Sequence, residues 1–167
     1  GVQRYPQKSI YPLLDMMQNV VDEGTGSIIR KMGFDHPAGG KTGTTNDFKD
    51  AWFDGFTKEL SAVVWVGFDQ NHPMIETTGR GATGSGTSAP IWALFMQKAL
   101  QGKNKVKFPV PDGIKFERVD VTTGSTVGDG AKDSLMVALK DDVPASMADQ
   151  NEGKTGKNIS ITPNLKQ

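Results

Sequence analysis

Two runs of bulky residues separated by three positions constrain this chain most. Residues 51–57 carry Trp52, Phe53 and Phe56, and residues 61–68 carry Val63, Val64, Trp65 and Val66. β-Branched and aromatic side chains suit a pleated, half-buried surface. The Lys58-Glu59-Leu60 link is hairpin length, so the two runs are predicted to pair antiparallel. In the second run bulky residues occupy both alternating faces, which predicts an interior strand covered on both sides. Trp52, Trp65 and Trp92 all fall in strand or helix patterns, where large aromatics pack a core.

Helices frame these strands. Residues 12–23 place Leu13, Leu14, Met16, Met17, Val20 and Val21 at helical spacing, with Asp15, Gln18, Asn19, Asp22 and Glu23 on the other face. That pattern predicts an amphipathic helix ended by Gly24. A second helix is predicted with Ser88 as N-cap and Pro90 in the first turn. Its Ile91, Trp92, Leu94, Phe95, Met96, Ala99 and Leu100 make it broadly apolar before Gly102, so it should be largely buried against the sheet. Residues 24–40 read as a connection with one brief turn near Ile28-Ile29, and residues 108–113 are turn-forming. The alternation over 114–121 fits one short edge strand. From 141 to 167 apolar residues are too sparse to offset ordering entropy, which predicts a mobile tail. No repeat of solenoid length is present. The resulting class is α+β, an antiparallel sheet flanked by helices.

Charge and composition narrow the function. The 167 residues suit one ordinary domain, and 19 basic side chains balance 19 acidic ones. No net positive field favours a phosphate backbone, so no nucleic-acid partner is expected. With no cysteine in the chain, thiolate chemistry and cysteine metal sites are excluded. No stretch approaches the ~20 apolar residues of a membrane helix. His36 and His72 are each isolated from other ligand-type residues, so no metal site and no cofactor is expected.

The chemistry concentrates in Gly39-Gly40-Lys41-Thr42-Gly43-Thr44-Thr45. A phosphate-binding loop also contains Gly-Lys-Thr, but it needs a glycine five positions before Gly40, where this chain has Asp35. Such a loop should follow an apolar strand and open a helix, whereas this segment leads into the aromatic run at Ala51. As an extended strand at a cleft rim, it would point Lys41 and Gly43 one way and Thr42 and Thr44 the other. The hydroxyls could then donate to a carboxylate, the lysine would add positive potential, and a backbone N–H near Thr44 could meet an oxyanion. Gly43 would leave room on the lysine side for another chain. A glycine-rich turn with an exposed lysine is the other reading, and the segment alone does not choose between them.

Its flanks do. Lys-Thr-Gly is one of the signatures of penicillin-binding proteins and class A β-lactamases. Gly40-Lys41-Thr42-Gly43-Thr44-Thr45-Asn46, Asp50-Ala51-Trp52-Phe53 and Val64-Trp65-Val66-Gly67-Phe68-Asp69 together closely resemble the bifunctional class A penicillin-binding proteins that build bacterial peptidoglycan. Gly24-Thr25-Gly26, Ala89-Pro90-Ile91-Trp92 and Phe108-Pro109-Val110-Pro111-Asp112-Gly113-Ile114 also look like that family. The resemblance covers about residues 13–124. It implies a partial penicillin-binding/β-lactamase-like transpeptidase fold over 1–124, the C-terminal part of that domain, with 125–167 a largely polar extension.

In the family a serine attacks the penultimate D-alanine carbonyl of a stem peptide and passes the acyl group to a neighbouring strand's amine; β-lactams acylate the same serine. The resemblance implies catalytic roles for Lys41, which holds the hydrogen-bond network, and Thr44, which serves the oxyanion hole. It implies substrate binding by Thr42, Gly43 and Thr45, with the Thr44 hydroxyl also on the terminal carboxylate. The implied partners are a stem peptide ending in D-alanyl-D-alanine, β-lactam antibiotics and the remainder of the transpeptidase domain. The implied location is the bacterial cell envelope, outside the cytoplasmic membrane, in the periplasm or its equivalent, with any membrane anchor outside this chain. No serine here is followed three positions later by lysine, and no Ser-x-Asn occurs. Both motifs precede Lys-Thr-Gly in the family, so they are expected upstream of Gly1, and this chain alone is expected to form no acyl-enzyme. A non-catalytic muropeptide-binding module is the alternative. The glycine-rich stretch 77–87 is expected as a mobile loop near the cleft edge, and Lys154-Thr155-Gly156 as a coincidence.

Overall fold

The computed structural model describes residues 4–142, which divide into two compact units between Ile114 and Lys115. In the first, β1 is Gly39–Thr44, β2 Asp50–Phe56 and β3 Ser61–Gly67. β2 and β3 pair antiparallel as predicted, with Trp52 opposite Trp65 and Phe53 opposite Val64. β1 joins the other side of β2, also antiparallel, with Lys41 opposite Asp54 and Gly43 opposite Trp52. The sheet order is therefore β1-β2-β3.

The pleat sends Ala51 and Phe53 to one face, where both are fully buried. Onto that face pack α1 (Gln7–Asp22) through Val21, α2 (Ile28–Lys31) through Ile29, and α3 (Ala89–Ala99) through Trp92, Ala93 and Met96. Trp92 is central. Its ring lies edge-on to Phe53 at 5.3 Å and to Phe34 at 5.4 Å, and its Nε1 donates to the Ala62 carbonyl at 3.0 Å. Burial of the indole thus leaves its one polar atom paired.

Several expectations are corrected. β3 is an edge strand of the described sheet, not an interior one: Val63 is 60% and Trp65 43% exposed. The core elements gather on the Phe53 face, so among the described residues nothing covers the bulky residues of the other face, and of the three tryptophans only Trp92 is a core residue. α3 is likewise buried on one side, with Ile91, Leu94 and Phe95 about half exposed. α1 starts at Gln7, ahead of the predicted start, and holds Pro12 within it. The missing Pro12 N–H removes one i→i−4 bond, which the 16-residue helix tolerates. Leu13 and Met16 point outward, while Tyr11 and Val21 form the buried stripe.

Ser88 does not cap α3. It has helical backbone angles, is fully buried, and donates its hydroxyl to the Ala51 carbonyl at 2.7 Å. A π-helical turn, Gly84–Ser88, precedes α3, and Thr83 caps it by accepting from the Gly86 N–H at 3.0 Å. The Ser88 hydroxyl ties α3 to the central strand, so Ser88→Ala should cost about 1 kcal/mol. Urea unfolding checks this, and a midpoint equal to that of the unmodified chain would contradict it.

In the second unit β4 (Ile114–Asp120) pairs with β5 (Ser134–Lys140). β4 matches the expected short strand, whereas β5 lies in the stretch expected to be polar. Its Leu135-Met136-Val137-Ala138-Leu139 run is a short apolar segment without a period that selects a strand. Asp120 closes the turn after β4 by accepting from the Thr123 and Thr122 N–H groups and the Thr123 hydroxyl. Bonds to its charged form hold the Asp120 carboxyl below the usual carboxylate range. Its contribution is present above the unfolded value of about 3.9 and is lost as pH falls through the lower folded value. A carbon-detected NMR titration should place its midpoint below those of unbonded aspartates. The tail expected from 141 lies, after residue 142, outside the described residues, as does Lys154-Thr155-Gly156.

Candidate functional site

β1 forms one outer strand of the sheet, and its alternation is the expected one. Lys41 pairs with exposed Asp54 on the Trp52 face, while Thr42 and Thr44 lie on the Phe53 and Ala51 face. The strand runs into a 3-10 turn, Asn46–Phe48, and then β2. No helix N-terminus follows Lys41, which removes the structural basis of a phosphate loop.

Lys41 is exposed and donates from Nζ to the Thr42 carbonyl at 2.7 Å. Thr42 Oγ1 lies 2.9 Å from Thr25 Oγ1. Thr44 Oγ1 accepts from the Gly84 N–H at 3.0 Å. Thr45 does not join this group: its hydroxyl donates to Asp50 Oδ2 at 3.2 Å and accepts from the Asp50 N–H at 2.8 Å, closing the β1–β2 turn. That turn holds Asp47 and Phe48 at φ of 63° and 54°, a left-handed conformation that side chains adopt at a cost.

Two other segments converge on the threonines. After α1, the chain turns back as the Gly24 N–H bonds the Asn19 carbonyl and the Gly26 N–H bonds the Val20 carbonyl, both at 2.9 Å. These helix-end bonds present Thr25 to Thr42. The second segment is the glycine-rich loop before α3. Gly84 sits so close to the sheet that an added Cβ would meet the Trp52 carbonyl oxygen at 2.3 Å and that of Gly43 at 2.7 Å. Ser85 Oγ then donates to the Thr25 carbonyl at 2.6 Å.

The room expected beside Gly43 is not open. A Cβ there would stand 3.2 Å from that of Trp52, and the close backbone approach belongs instead to Gly84. The loop is also anchored: Ile75 bridges Gly81, and the Phe48 carbonyl accepts from the Met74 N–H at 2.9 Å. His36 stacks on Phe34 at 5.6 Å. Among the described residues no group of three or more His, Cys, Asp or Glu could hold a metal.

The structure thus brings Lys41, Thr42, Gly43 and Thr44 together with Thr25, Gly84 and Ser85. Gly24-Thr25-Gly26 and the glycine-rich loop stand out in the sequence, but the roles of Thr25 and Ser85 do not. Their partners are 17 and 60 positions away, a separation that local pattern does not bridge.

No family model matches the chain. Among curated proteins, it is 40% identical to penicillin-binding protein 1A of Rickettsia bellii (strain RML369-C) over 132 residues, 79% of this chain and 16% of that protein. It is 37% identical to penicillin-binding protein 1A of Pseudomonas aeruginosa over 141 residues, 84% of this chain and 16% of that protein. The crystal structure of penicillin-binding protein 1A from Haemophilus influenzae superposes with a TM-score of 0.63 at 29% identity, covering 78% of this chain and 20% of that one. PonA1 of Mycobacterium tuberculosis in complex with penicillin V gives a TM-score of 0.56 at 32% identity, covering 66% of this chain and 30% of that one. The chain spans 16% of the length of these curated relatives.

Proposed function

The chain belongs to the class A penicillin-binding proteins, and from that premise we propose that it forms the substrate-binding wall of a peptidoglycan D,D-transpeptidase. The observation that carries the reading is the outer strand β1, which sets the Thr42 and Thr44 hydroxyls two residues apart on one face, with Lys41 directly before Thr42 and Gly43 between the two threonines. Such a strand can bind an extended peptide and present two O–H donors to its terminal carboxylate.

In this reading the peptide ends in D-alanyl-D-alanine, and β-lactam antibiotics take the same place. Thr42 and Thr44 bind the terminal carboxylate. Lys41, one of whose three N–H donors holds the Thr42 carbonyl, supplies positive potential. The Thr44 N–H stabilises the oxyanion that forms when a serine attacks the penultimate carbonyl. That serine and its base come from another part of the protein, since this chain contains no Ser-x-x-Lys. The setting is the outer side of the bacterial cytoplasmic membrane. Among the described residues no helix is long and apolar enough to cross a membrane.

Incubating the chain with fluorescent penicillin and resolving it on a denaturing gel should give no labelled band. A covalently labelled band would overturn the assignment of the nucleophile to another part of the protein.

A further inference from the structure

Resting on that carboxylate-binding reading, the geometry points to Thr25 as a positioning residue that sets the donor direction of the Thr42 hydroxyl. A threonine hydroxyl has one proton to give and two lone pairs to fill. Thr44 shows how the scaffold uses this. The Gly84 N–H fills a lone pair of Thr44 Oγ1, which leaves the Thr44 proton for a partner that can only accept.

The Thr25–Thr42 contact completes the same arrangement. Two hydroxyls 2.9 Å apart share one proton between them. If Thr42 gave its proton to Thr25, it would present lone pairs to the ligand and repel a carboxylate. With Thr25 Oγ1 donating to Thr42 Oγ1, the Thr42 proton is released, and both site threonines present O–H groups. A carboxylate accepts on both oxygens and donates nothing, whereas a carboxamide carries N–H groups that would oppose these donors. Thr25 would therefore sharpen the choice of a free C-terminal carboxylate.

Thr25 is also held from behind. The turn bonds at Gly24 and Gly26 fix its backbone, and Ser85 Oγ donates to its carbonyl at 2.6 Å. Because Ser85 follows Gly84 directly, one loop braces both threonine donors. The closure Ser85–Thr25–Thr42 on one side and Gly84–Thr44 on the other joins segments 40 and 60 residues apart.

The experiment titrates the chain with N-acetyl-D-alanyl-D-alanine and with its C-terminal amide, following amide shifts by NMR. The unmodified chain should prefer the acid. Thr25→Val keeps the shape and removes the donor, and should weaken acid binding about tenfold while leaving amide binding within about twofold. Thr25→Ser should restore the acid preference. In a Thr42→Val background, Thr25→Val should change nothing further, because its only route to the ligand is gone. Equal acid binding by Thr25→Val and the unmodified chain, or equal weakening in both backgrounds, would overturn the role of Thr25. No acid preference in the unmodified chain would instead remove the carboxylate-binding reading itself, and the assignment of Thr25 with it.

Discussion

Trp92→Ala should lower the stability of the sheet unit by about 3–5 kcal/mol, a large share of what a small domain has. Three losses add at this position. The fully buried indole leaves a cavity between Phe53 and Phe34, both edge-on to it within 5.4 Å. The Ala62 carbonyl loses the donor that reaches it at 3.0 Å. Finally, Gly55 loses the surface that fills its missing side chain, since a Cβ there would meet the indole at 2.7 Å. Trp92→Phe should cost distinctly less, because it keeps an aromatic ring and loses chiefly the hydrogen bond and part of the volume. Urea midpoints of both variants test this against Leu94→Ala on the exposed side of the same helix, where Leu94 is 58% exposed. A Trp92→Ala shift no larger than the Leu94→Ala shift would refute the assignment of Trp92 as the keystone of the core.

Gly84→Ala should damage stability and binding together. The added methyl would collide with the carbonyl oxygens of Trp52 and Gly43. Those oxygens cannot retreat, because Gly43 and Trp52 are partners in the β1–β2 ladder. The loop must lift instead, at about 1–3 kcal/mol by the usual cost of overpacking. As it lifts, Thr44 Oγ1 loses the Gly84 N–H and Ser85 withdraws from the Thr25 carbonyl. Affinity for N-acetyl-D-alanyl-D-alanine should therefore fall by more than about tenfold. Gly79→Ala tests the same loop away from the sheet, where Gly79 has φ of 81° but nothing within 4 Å of an added Cβ. It should lower stability through backbone strain alone and leave affinity unchanged. If the two variants bound the dipeptide equally well, Gly84 would have no part in organising the site.

Much of the sheet was legible because its signals are local. Alternation and a three-residue link were enough for the β2–β3 hairpin, and Lys41–Thr44 read correctly as a strand with the threonines sharing a face. Similarity to penicillin-binding proteins 1A then agreed with the resemblance carried by the same motifs. What failed was the side of each element that meets the core. Trp65, Val63, Leu94 and Phe95 are as apolar as the buried residues, and hydropathy alone cannot say that the core elements gather only on the Phe53 face. Ser88 misled for a related reason. It has the chemistry of a cap, but a buried carbonyl at Ala51 competes for its hydroxyl. The bonds around Thr25 depend on three segments meeting, so the residues were visible and their partners were not.

The half-exposed pair Trp52 and Trp65 gives the molecule an optical signature. Their rings lie 6.0 Å apart at an interplanar angle of 42°, close and skewed enough for their indole transitions to couple as an exciton pair in circular dichroism. Trp92 is fully buried, so its emission should lie to the blue of theirs and resist aqueous quenchers. Because Trp52 stands directly across the ladder from Gly43, the couplet reports on the backbone beside the threonines, while the blue emission reports on the core beneath it.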